Sequence, residues 1–131
     1  MNKIEIDDTR KLILFKAVGS YSIVEARAFM ARLRSHDRNI QEYHRFLNLR
    51  EVESMNFTKD ELMTFSDLVK NIRSNNTTAK ACFLCKDVGT EKIAQIFLEF
   101  MKPQYVNNLI TQDIRDCADY LEVELSILEQ F

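Results

Sequence analysis

The stretch Phe46–Thr58, FLNLREVESMNFT, decides how the chain is read. Its first residues belong to an apolar run from Tyr43 to Leu49 (YHRFLNL), which reads as a β-strand. Its middle, REVES, is charged and reads as a turn. It ends at Thr58, and Glu61 stands three residues on, a capping box in which each side chain satisfies a free amide at the start of a helix. Leu62, Phe65, Val69 and Ile72 then follow at helical spacing. Strand, polar connector and helix make half of a β-α-β unit.

The unit recurs on both sides. Lys3–Ile6 alternates polar and apolar residues, and Asp7-Asp8-Thr9-Arg10 is turn chemistry, because Asp side chains bond local backbone amides. Residues 11–18 (KLILFKAV) are too uniformly apolar for a one-sided strand and belong inside a sheet. The two strands form an N-terminal hairpin, the first antiparallel to the second. Gly19-Ser20-Tyr21 ends the strand, Ser22 and Glu25 form another capping box, and Ile23, Ala26, Met30 and Leu33 make one helical stripe that stops near His36.

Downstream, residues 74–78 are a loop and 79–85 (AKACFLC) a buried-type strand. Residues 88–90 turn into a third helix with Ile93, Phe97 and Phe100 inward and Pro103 beyond its end. Residues 105–110 are a last strand, and Asp113 caps a final helix carrying Ile114, Cys117 and Leu121. The order β-β-α-β-α-β-α-β-α predicts one α/β domain over residues 1–131, with a mixed, mostly parallel five-stranded sheet covered by four helices. Whether residues 122–131 continue the last helix is left open.

Composition agrees with a single packed domain. At 131 residues, a domain buries roughly two-thirds of the surface its unfolded chain exposes. Hydrophobic residues make up 46% of the chain and include nine Phe, enough for a core without metal or disulfides. Two Gly and one Pro exclude linkers and collagen-like repeats. A net charge of -2 gives no general electrostatic case for nucleic acid. Arg27, Arg32, Arg34, Arg38 and Arg45 are read as the wet face of the first helix and its exit, in preference to a phosphate patch. No window approaches the ~18 apolar residues of a membrane span. MNKIEIDDTRK has acids where a signal peptide needs an apolar core, so the expected location is a reducing cytoplasm, with three free thiols.

The chemical constellations are thin. Cys82 and Cys85 form a C-x-x-C inside a strand, where residues three apart point to opposite faces, so they read as two small buried hydrophobes. Zinc would need a fourth ligand beyond Cys117, and none is suitably spaced. His36 and His44 are the only histidines, and no G-x-S-x-G, P-loop or Rossmann glycine pattern is present. A hydrolase or transferase would need one of those histidines within hydrogen-bond reach of a hydroxyl or thiol. No catalytic residue, metal ligand or cofactor is assigned.

In a parallel sheet the strand C-termini share one rim, and ligands tend to bind there. That rim collects residues 19–22, 50–58, 86–90 and 111–113. The candidates for binding a partner or ligand are Tyr21, Ser22, Asn48, Arg50, Asn56, Thr58 and Thr90. The third helix, EKIAQIFLEFMK, reads as core or as the wall of an apolar pocket. Phe29 and Met63 sit beside the inward stripes of their helices and, if exposed, suit a partner helix or a second copy of the chain.

The hairpin, the G-x-x-S at Gly19–Ser22, then FLNLREVESMNFT, ELMTFSDLV, AKACFLCKD and the closing LITQDIRDCADYLE together resemble the STAS, or SpoIIAA-like, superfamily. The likeness is to its small stand-alone STAS/SEC14-like bacterial members and covers nearly the whole chain. It implies a SpoIIAA-like fold and a non-enzymatic regulatory or protein-interaction role in the bacterial cytoplasm, with a protein partner. The alternative it implies is a SEC14-like carrier of a small apolar ligand. Regulatory members carry a turn resembling Asp-Leu-Ser-x-x-x-x-Ile-Asp-Ser-Ser-Gly, whose Ser at a helix start is phosphorylated. Here its first Asp falls on Asn48, its Ile on Met55, its second Asp on Asn56 and the phosphorylated Ser on Phe57, with Thr58 and Lys59 following. Phe57 has no hydroxyl, so the resemblance implies a member without the usual switch. Thr58 keeps a hydroxyl at a helix start, where its simplest role is the cap.

Overall fold

A computed structural model describes residues 2–36, 40–70, 78–101 and 107–131. Its elements run β1 (Lys3–Asp7), β2 (Leu12–Ser22), α1 (Ile23–Arg34), β3 (His44–Asn56), α2 (Lys59–Lys70), β4 (Ala81–Leu84), α3 (Val88–Met101), β5 (Asn108–Thr111), α4 (Ile114–Leu121) and α5 (Leu125–Glu129). The strands form one sheet in the order β1-β2-β3-β4-β5. β1 is antiparallel to β2, and every other pair is parallel, as the alternation of elements predicted. The readings on Arg38, Ile72, residues 74–77, Pro103 and Tyr105 fall outside the described residues.

The strand order is sequential, so each crossover steps the same way. With the usual right hand, all three connecting helices must cover one face. They do: Phe29 and Met30 of α1, Leu62 and Val69 of α2, and Ala94 and Phe97 of α3 share a core with Phe15, Leu49 and Phe83. The other face, with Leu12, Leu14, Phe46, Cys82 and Leu84, is covered by Cys117, Ala118, Leu121, Leu128 and Phe131. A sheet sandwiched in this way is apolar on both sides, which is why Leu12, Ile13, Leu14 and Phe15 are consecutively buried.

Four expectations are corrected. β3 does not turn at Arg50; it runs to Asn56, and β2 does not stop at Gly19 but runs to Ser22. The two stay paired through register shifts between Lys16 and Val18 and between Gly19 and Ser20, each of which adds a residue to β3. Gly19 takes φ +78, a left-handed conformation open to glycine, and β2 continues through it opposite the bulge in β3. A fifth helix, α5, follows α4, because Glu122 ends α4 in the left-handed conformation at φ 58. Finally, the three thiols are not all free. Cys82 on β4 is bonded to Cys117 on α4, with their Cα atoms 5.8 Å apart, and Cys85 alone is a free cysteine. Cys82 and Cys85 do face opposite sides of the sheet, each in a different core.

Helix starts carry the surface electrostatics. Glu25 accepts from the Ser22 amide (2.8 Å) and hydroxyl, and Asp87 accepts from both the amide and the hydroxyl of Thr90 at 2.8 Å. Asp113 accepts from the Arg115 amide at 2.9 Å and pairs with its guanidinium. The Ser22 hydroxyl, the Thr90 amide and the Arg115 side chain hold Glu25, Asp87 and Asp113 respectively below the ordinary carboxyl range. A carboxyl whose folded value is depressed stabilises the fold above its unfolded value and loses that contribution as pH falls through the folded one. The urea midpoint, followed by far-UV circular dichroism, is therefore expected to hold from neutral pH down to about 5. It should then decline through the unfolded values of 4.5 for Glu and 3.8 for Asp and below them. A midpoint that rises on acidification would contradict these caps.

Candidate partner-binding site

β4 pairs with β3 only from Arg45 to Asn48, whereas β2 follows β3 to Asn56. β2 and β3 therefore overrun the rest of the sheet as a two-stranded ribbon, roughly 25 Å long at strand rise. The strand ends do not lie at one level. The sequential strand order also never reverses, so the crevice that a doubly wound sheet opens at its switch point is not formed here.

This geometry sorts the seven candidates. Tyr21 and Ser22 pair with Met55 and Asn56 across the ribbon end, and Thr58 follows two residues on. Four candidates are thus brought together at one tip. Ser22 caps α1. Thr58 accepts from the Glu61 amide at 3.1 Å while Glu61 accepts from the Thr58 amide at 2.9 Å, the capping box read from sequence. Asn56 is exposed and donates to the Ser54 hydroxyl. Tyr21 is 4% exposed and faces inward, its ring 5.6 Å from both Phe15 and Phe57. Burial raises its hydroxyl pKa above the ordinary value.

The other three are not at the tip. Asn48 is buried where β4 ends, and its Oδ1 accepts from the Arg50 amide at 3.1 Å, satisfying backbone at the bulge. Arg50 is exposed along the ribbon. Thr90 is 5% exposed, tied to Asp87 at the start of α3. Among the described residues no strand lies beside the β4-side edge of β3 beyond Asn48, and the Lys86 ammonium donates to the Val52 carbonyl there. A bulged edge met by a lysine is poorly suited to pairing with a stray strand.

Reading the sequence singled out Met63 but missed Val24. Val24, in the first turn of α1, is 70% exposed, and Met63, near the start of α2, is 43% exposed. Those helices leave from the paired residues Ser22 and Asn56. Their signal was present, since Val24 lies off the stripe of Ile23, Ala26 and Met30. Phe29 is a correction: it is buried, its ring stacked 4.3 Å from Phe15, so it does not join Met63 in a sticky surface. Arg45, placed among the wet arginines, is also buried, at 3% exposure.

Beneath the tip lies an apolar cavity of about 50 Å³ between the sheet and the helices, walled by Phe15, Tyr21, Phe57, Phe65 and Phe97 and including Arg45. The third helix does supply part of this wall, through Ile93, Ala94 and Phe97. Phe57 packs toward Tyr21 and Phe65, its ring 5.6 and 6.4 Å from theirs.

The histidines lie at the opposite end of the sheet. His36 Nε2 is 3.1 Å from Asp8 Oδ1, and the Tyr43 hydroxyl donates to the same oxygen at 2.8 Å. His44 Nδ1 accepts from the Lys80 amide at 2.9 Å, which places the proton of its neutral ring on Nε2. Both rings tie strand entries together. Among the described residues no group of three His, Cys, Asp or Glu side chains is placed to hold a metal, and no helix is long and apolar enough to cross a membrane. Comparison with protein-family models, curated proteins and solved structures finds no match for this chain.

Proposed function

We propose that the chain is a STAS-like, non-enzymatic regulatory module that binds a protein partner through the tip of the β2–β3 ribbon. The carrying observation is the exposure of Val24 (70%) in the first turn of α1 and of Met63 (43%) in the second turn of α2, the two helices that start from the tip carrying Asn56 and Thr58. Exposed apolar side chains set among polar ones are the composition of a partner interface. The bacterial cytoplasm is part of the proposal, as the place where such modules meet their partners. The carrier of a small apolar ligand is the second reading, supported by the aromatic-walled cavity. Pockets for small ligands run to roughly 300–1,000 Å³, and the cavity has about 50 Å³. Size therefore favours the protein partner.

The test is affinity capture from the source cell with three baits: wild type, Val24→Asp with Thr58→Glu, and Glu5→Lys on the far edge strand. A protein held by wild type and by Glu5→Lys, and reduced roughly tenfold or more on the tip variant (about 1.4 kcal/mol), is the expected result. A protein held equally by all three baits would move the interface elsewhere.

A further inference from the structure

The C-terminal layer, α4 and α5, is tied to the sheet by one covalent bond and is flanked by open clefts. Cys82 and Cys117 are both fully buried, β4 against α4. Two open clefts of about 400 and 410 Å³ run between this layer and the N-terminal hairpin, one reaching His44 and Leu121, the other Lys3 and Phe131. At its margins the layer is held by surface contacts. Lys80 donates to the Tyr120 carbonyl at 3.0 Å and lies 3.5 Å from the Glu122 carboxylate, and the Lys3 ammonium sits 5.1 Å over the Phe131 ring. Exposed pairs of this kind contribute little.

We propose that Cys82 and Cys117 are a reversible redox latch: reducing their bond lets α4 and α5 lift and uncovers the apolar sheet face of Leu12, Leu14, Phe46 and Leu84. The reductant is a dithiol of the thioredoxin class. One of its thiolates attacks a protein sulfur and forms a mixed disulfide, releasing the other protein cysteine as a thiolate that takes a proton. Its second thiol then displaces the remaining protein sulfur. Two electrons pass to the protein, which is left with two thiols, and the reductant leaves as a cyclic disulfide. Since both sulfurs are buried, attack waits on a transient opening of α4, and the clefts at its margins are where such an opening starts. Cys85 takes no part. It lies on the opposite face, and burial pushes its thiol up to about 12.

The experiment is hydrogen exchange on the intact chain, oxidised and then reduced with a phosphine, read segment by segment. Amides of residues 114–131 are expected to lose roughly tenfold or more protection relative to those of α1 after reduction. The Cys82→Ser, Cys117→Ser double variant is expected to reproduce the reduced pattern without any reductant. Equal protection of residues 114–131 in both forms would overturn the latch. So would an equal loss of protection in α1 and α4, which is global unfolding. So would three alkylatable thiols in the denatured protein after air oxidation. If the double variant fails to fold, the two forms of the wild type decide alone.

Discussion

Phe46→Ala is expected to lower the free energy of unfolding by about 3–5 kcal/mol, among the largest effects of any single truncation in this chain. Phe46 is fully buried at the middle of the sheet, paired with Leu14 on one side and Cys82 on the other. Its ring fills the core under α4 and α5. A cavity there closes only if its walls move, and three of those walls are hydrogen-bonded strands. The cost should therefore sit near the upper end of the range. Urea unfolding followed by circular dichroism measures it, with Val24→Ala, exposed at 70%, as a control expected within about 0.5 kcal/mol of wild type. A loss below about 1 kcal/mol at Phe46 would mean that this face is not packed as described.

The fold class was legible because its signals are local. The capping boxes at Ser22 and Thr58 and the apolar stripe of α1 place the first two helices, and the uniformly apolar 79–85 places a buried strand. What escaped depends on partners distant in sequence. REVES reads as a turn because Arg50 and Glu51 are consecutive charges, which breaks the period-two pattern of a strand. In the structure that break is a bulge, visible only through pairing with β2. Gly19 was read as punctuation for the same reason. The Cys82–Cys117 bond spans 35 residues and leaves no local mark, whereas the C-x-x-C beside it draws attention to a pair that points apart. The end of α4 at Glu122 uses a left-handed residue that is not glycine, so no breaker announces it.

The candidate site divides along the same line. Tyr21, Ser22, Asn56 and Thr58 converge because β2 and β3 end together. Asn48 and Thr90 are polar residues near element ends, and sequence alone does not separate a polar side chain that meets a partner from one that satisfies backbone at a bulge or cap. Residue type says that a hydrogen bond is needed. Only the register says with what.

The second large effect concerns the disulfide. Reducing Cys82–Cys117 in the wild type is expected to lower the free energy of unfolding by about 4 kcal/mol, from the loop entropy returned to the unfolded chain by a cross-link that closes 35 residues. Comparing oxidised and reduced wild type removes no heavy atoms, so no cavity is introduced, and the difference reads loop closure together with the packing lost as the layer lifts. Guanidinium titrations with and without reductant, on protein whose intact mass confirms the thiol state, supply the number. A difference below about 1 kcal/mol would mean that closing this loop contributes little, and α4 and α5 would then have to be held by packing alone.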